Sequence, residues 1–299
     1  MAQHTHPRAA RTVAALLLVI ISAGTAFADG NITAYVDGGG TLFVIGDDLA
    51  NSAWIERSGD TFVITPYAGT SVNGSTDIAY IDATATVQIV VAGNGGSDRL
   101  LLDMGFTGDV YMSGGAGDDT LEFGNASIFG SVAVDGGPGD DSVAIEDAAI
   151  HGPLSISGGE GADEIELVIS GFYGDTNVDT GPGADTFACN SAHIRSSLVV
   201  KTGPGADTAE FWSNYPTLPC TIDENLTLIT GSGADAVDVE ATTIGGTVLA
   251  ELGAHDDSIQ LATSTVGGLI TLDGGAGVDT YTDAGGNVFA SAPELRKFE

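Results

Sequence analysis

The chain has 299 residues, 41 of them acidic and 8 basic, for a formal charge of −33. So acidic a surface repels nucleic acid and anionic lipid and attracts cations, which excludes the polyanion-binding classes. Glycine fills 44 positions, aromatic residues only 7% and hydrophobic residues 43%, a composition poor for helices but suited to a turn-rich β protein with a buried core.

Residues 1–28 read as a secretory signal. Arg8 and Arg11 precede the apolar run from Val13 to Ala23, and Ala26-Phe27-Ala28 has the small-x-small cleavage pattern. The apolar run is far short of the ~20 residues that span a bilayer, and the rest of the chain holds no second candidate. The expectation is export without a membrane span, to the medium or cell surface, with the periplasm a compatible destination. Cys189 and Cys220 are the two cysteines, too few for a disulfide scaffold; whether they form one bridge stays open.

Residues 29–92 read as β throughout. Thr41 to Ile45, Thr61 to Ile64 and Val87 to Val91 are β-branched and aromatic runs separated by Gly, Asp, Asn and Ser. An uncovered first coil would leave a sheet edge open to water, so this segment is expected to form a β-rich cap or the first coils of a longer winding. A separate small β domain is the alternative.

From residue 93 to residue 286 one phrase recurs, Gly-x-Gly-x-Asp. Its final aspartates are Asp98, Asp119, Asp141, Asp163, Asp185, Asp207, Asp235, Asp257 and Asp279, with gaps of 21, 22, 22, 22, 22, 28, 22 and 22 residues. Such a period is the signature of a solenoid. With the repeats aligned on the aspartate, apolar residues fall into columns two and four positions later (Leu121 and Phe123, Val143 and Ile145), nine later (Ile128, Ile150), and thirteen and fifteen later (Val132 and Val134). A spacing of two places both members of a pair on one face of a strand. Three short apolar segments per repeat, each ending at a turn, predict an all-β fold: a single-stranded parallel β-helix, three-sided, about 22 residues per coil. The 28-residue interval carries Trp212, Tyr215 and Cys220 and predicts a loop bulging from the second corner. Residues 287–299 are expected to fold over the last coil as a cap.

Stacked turns would repeat one carboxylate about every 4.8 Å along one edge, with neighbours repelling by ~3.5 kcal/mol at an effective dielectric near 20. A ladder of like charges with inward carbonyls fits a hard divalent cation. Gly114 to Glu122 and Gly136 to Ala144 resemble the haemolysin-type, or RTX, calcium-binding nonapeptide Gly-Gly-x-Gly-x-Asp-x-apolar-x. The resemblance covers residues 93–283 and implies Ca²⁺ held between stacked turns by the nine motif aspartates and glycine-turn carbonyls. Departures are clear: one turn per coil instead of two, Thr180, Thr202, Thr230 and Leu252 in place of the first glycine, and His255 in place of the second. One-sided repeats of this kind, ending in Phe-Glu as Phe298-Glu299 does, are similar to those of secreted bacterial proteins. The competing explanation of the aspartates is that each caps its own turn through an Asx-type hydrogen bond.

The leading functional expectation is a secreted, non-catalytic calcium-binding scaffold of surface, matrix or adhesion type, with calcium and cell-surface or matrix polysaccharide as partners. The alternative is a carbohydrate-active β-helix enzyme. A lyase needs a strong base or positive group to hold an acidic sugar, and Arg99, Arg195 and Lys201 are widely spread in the repeat region.

Overall fold

The computed structural model describes residues 30–213 and 218–299. The leader reading at 1–28, and Tyr215 in the inserted loop, lie outside the described residues. Every regular element described is a β-strand, and no helix there is long and apolar enough to cross a membrane.

Each coil supplies one strand to each of three walls. In one representative coil these are Thr120–Gly124, Ser127–Ile128 and Val132–Pro138. The strands pair in parallel with their equivalents one repeat away, residue for residue: Leu121 with Val143 and Phe123 with Ile145, then Val143 with Ile165 and Ile145 with Leu167. The second and third walls keep the same register, as in Ile128 with Ile150 and Val132 with Leu154. All five apolar columns therefore face inward, and one continuous core runs the length of the solenoid. Phe62, Phe106, Phe123, Phe172, Phe187 and Phe211 are its largest fully buried side chains. At the Asp turn the glycine four positions before the aspartate takes a positive φ, 113° at Gly115 and 114° at Gly137, which a side chain would oppose. His255 holds a φ of 91° at its turn and carries that strain.

Residues 30–82 join the same walls. Thr41–Ile45 pairs in parallel with Gln88–Gly95 and antiparallel with Asn31–Val36. Ser52–Ser58 pairs in parallel with Arg99–Asp103 and antiparallel with Thr61–Pro66. The first winding thus turns back on itself as hairpins, and its edges end in the short strands Ser71–Val72 and Ala79–Asp82. Short edges of this kind limit pairing with other chains.

At the other end the tail covers the last full coil, with Phe289 and Phe298 packed against the core. Val288–Phe289 and Glu294–Arg296 extend two walls in parallel, so the tail makes a further partial coil. Backbone groups left free on the last full coil favour continued pairing over an irregular cover. Phe298 packs edge-on against Tyr281 at 6.4 Å. The inserted loop leaves the core intact, since Phe211 pairs with Val239 and Ile222 with Ile244 on either side of it. Outside the walls, Phe129, His151 and Tyr173 stack at 4.2 and 4.5 Å, and the Arg195 guanidinium lies 4.7 Å from the Tyr173 ring centre.

Two substitutions test this packing. Phe123→Ala removes a fully buried ring and is expected to cost about 3–5 kcal/mol, read as a lowered urea midpoint at unchanged slope. His255→Gly relieves the left-handed backbone and should stabilise by about 1 kcal/mol, measured the same way.

Candidate metal centre

The structure brings all nine motif aspartates into one file, and it places that file inside the protein. Each is 0–2% exposed, so the aligned edge of acids is a buried column. The cause is a hydrogen bond between coils. The backbone N–H of each motif aspartate donates to Oδ1 of the motif aspartate in the next coil, from Asp98 to Asp119 (2.7 Å) through Asp141 to Asp163 (2.8 Å) and on to Asp257 to Asp279 (3.0 Å). Intermediate coils do the same. A carboxylate that turned outward to cap its own turn would leave that N–H without an acceptor in the core. The bond is therefore not an Asx cap within its own turn; it fastens one coil to the next.

Asn51 begins the file. Its N–H donates to Asp98 Oδ1 at 2.6 Å, and it stands in register with Asp98 one coil earlier, a neutral amide where the repeat would put an acid. Sequence reasoning missed it because the first winding lacks the repeat and its period.

The second carboxylate oxygen has a different fate. Oδ2 of Asp98, Asp119, Asp141, Asp163, Asp207, Asp235, Asp257 and Asp279 is buried and receives no hydrogen bond within the described residues. At Asp98, Asp119, Asp141, Asp163 and Asp279 it points at the glycine five positions earlier. A Cβ on Gly136 would lie 2.5 Å from Asp141 Oδ2 and 2.3 Å from the Gly158 carbonyl oxygen; one on Gly158 would lie 2.5 Å from Asp163 Oδ2 and 2.3 Å from the Thr180 carbonyl. Neither glycine has a positive φ, so the lack of a side chain there serves space, not backbone conformation. Where threonine replaces that glycine, its hydroxyl enters the same oxygen-lined position. Thr180 Oγ1 donates to Asp185 Oδ2 at 2.8 Å and lies 3.0 Å from the Thr202 carbonyl. The threonines were visible in the sequence as departures from the motif; that they answer a buried oxygen was not.

Burial dominates the electrostatics. Desolvation pushes Asp141 up to about 7, and Asp98, Asp119, Asp163, Asp207 and Asp257 to about 6. The N–H from the preceding coil opposes the rise, while neighbouring carboxylates add to it at Asp119, Asp141 and Asp163. Asp185 and Asp235 are also raised by desolvation, restrained by the preceding N–H and, at Asp185, by the Thr180 hydroxyl.

Among the described residues no three His, Cys, Asp or Glu side chains converge as a metal-binding cluster, because the file supplies one acid per coil. The donors it does offer, carboxylate and carbonyl oxygen, are hard ligands of the class that suits Ca²⁺. Two acids outside the file are engaged elsewhere, Glu122 with Arg99 and Asp273 with Lys297, both at 3.0 Å. His193 pairs with Asp223 at 2.9 Å, and His151 lies in the ring stack. No protein-family model, curated protein or solved structure matches this chain.

Because the folded carboxylates hold protons more tightly than an ordinary aspartate at 3.8, the folded chain binds more protons than the unfolded one between about pH 4 and 7. Their contribution to stability is complete below that window and is lost as pH rises through it. In chelator, the melting temperature should be higher at pH 5 than at pH 8. Asp141→Asn should shrink that difference.

Proposed function

We propose that this chain is an exported, non-catalytic β-solenoid scaffold that takes up Ca²⁺ along its buried aspartate file, as a surface, matrix or adhesion component. The observation that carries this reading is the buried Oδ2 that receives no hydrogen bond and faces a side-chain-free glycine beside a carbonyl oxygen. A buried carboxylate demands a proton, a hydrogen-bond donor or a cation. The threonine coils show the donor solution at Asp185. The glycine coils leave room for another.

On this reading the Asp98, Asp119, Asp141, Asp163 and Asp279 coils take the cation, and the threonine and Leu252 coils do not. Bound Ca²⁺ supplies positive charge to carboxylates that otherwise repel and stay desolvated. The chain's own residues hold the oxygens in place: each preceding N–H fixes Oδ1, and the glycine keeps Oδ2 accessible to an ion within the core. Since about six to eight oxygens surround Ca²⁺, neighbouring coils and water would share each ion. A ligand that binds the folded state alone stabilises it by about 2.7 kcal/mol at a hundredfold excess over Kd. The inferred role is structural, consistent with the high acidity and the exported leader read from the sequence.

Calorimetric titration of chelated protein with Ca²⁺ and Mg²⁺ tests this. At pH 6 calcium uptake should release protons, so the observed heat should vary with the ionisation enthalpy of the buffer. Asp141→Ala combined with Asp163→Ala should weaken calcium binding and, because it also removes the acceptors of two buried N–H groups, lower the melting temperature in chelator and lower it further when calcium is present. Gly136→Thr should reduce the number of ions bound and, because its Cβ must displace the Gly158 carbonyl and Asp141 carboxylate, should also lower the calcium-free melting temperature. Equal losses with and without chelator would assign the aspartates to holding the coils together and nothing more.

A further inference from the structure

Cys189 lies on the first wall in the strand Thr186–Asn190, and Cys220 opens the second-wall strand Cys220–Ile222 one coil later. Both are fully buried, and their sulfurs face each other at 2.6 Å. Their columns make the meeting specific. The position of Cys189 is held in neighbouring coils by the larger Leu167 and Phe211, its register partners. The position of Cys220 is held by Thr242 in the next coil, its register partner, and by Ala192 in the preceding one, two residues before the Ile194 that pairs with Ile222. A sulfur at the corner thus reaches into room that a shortened column residue provides, and this happens in the one coil that also carries the insertion.

We infer that Cys189 and Cys220 form an intramolecular disulfide that staples the coil bearing the inserted loop to the coil before it. The oxidant is a small-molecule or protein disulfide of the glutathione or thiol–disulfide oxidoreductase class. A thiolate of one cysteine attacks that disulfide, giving a mixed disulfide and releasing one thiol. The second cysteine, as thiolate, then attacks the mixed disulfide, forming the Cys189–Cys220 bond and releasing the second thiol. Two electrons pass to the external disulfide, and the two protons lost by the cysteines end on the two released thiols. In the closed core neither sulfur is accessible, and contact with Cys189 together with burial pushes the Cys220 thiol well up, away from the reactive thiolate. The bond therefore forms while the chain is still folding. It closes a loop around the insertion, and this link between coils does not depend on whether the aspartate file binds calcium.

The full chain, denatured and reduced, is refolded in a glutathione redox buffer, and in parallel is produced through an oxidising compartment and purified without reductant. Each sample is then alkylated in denaturant with no reductant and weighed intact. The inference expects no alkylated cysteine, a monomer mass about 2 Da below that of the reduced chain, and a Cys189–Cys220 cross-linked peptide after digestion. Reduction in denaturant should restore two alkylatable thiols. Cys220→Ser should melt on the order of 5–10 °C lower than the oxidised wild type, and should match the reduced wild type. If that variant does not fold, the wild-type mass alone decides. Two alkylatable thiols in folded wild-type protein, or cross-links between chains, would overturn the inference.

Discussion

One hydrogen bond organises this protein: the backbone N–H of an aspartate in one coil held by the carboxylate of the aspartate in the next. Because donor and acceptor belong to equivalent residues, the bond repeats only if every coil returns to the same register. The near-constant 22-residue interval, the left-handed backbone at Gly115 and Gly137, and the inward columns are all conditions for that return. The 28-residue coil obeys it too: Phe211 still pairs with Val239, and the Asp207 N–H still reaches Asp235 Oδ1.

The same bond creates a tension, because burying one carboxylate per coil costs far more than burying an apolar side chain. The chain answers in several ways along one column. Asn51 replaces the acid with a neutral amide, Thr180 offers a hydroxyl, and raised proton affinity keeps Asp141 near neutrality at mild pH. The glycine coils give no protein donor to Oδ2.

The fold was legible because its signals are periodic. Columns two and four after the aspartate predict paired inward positions, and Leu121 with Val143 or Phe123 with Ile145 occupy them residue for residue. The orientation of the aspartate was not legible, since an acid in a glycine turn ordinarily faces water and nothing local to Asp141 says that a backbone N–H 22 residues earlier needs it. The meaning of Gly136 and Thr180 was hidden for the same reason: each addresses an oxygen that only winding brings near. Asn51 lay beyond reach altogether, because the hairpins of the first winding break the interval on which alignment depends.

Coils in this architecture touch only their neighbours, so stability is close to a sum of local terms. A tandem duplication of one whole 22-residue unit would therefore splice into the stack without disturbing any other contact. Its electrostatic burden would differ by type: a unit like that around Thr180 brings its own hydroxyl for the added acid, whereas one like that around Gly136 adds a carboxylate oxygen without a donor. Lengthening by units like that of Thr180 and Asp185 is self-sufficient, while lengthening by glycine units ties the size of the molecule to the ions or protons around it.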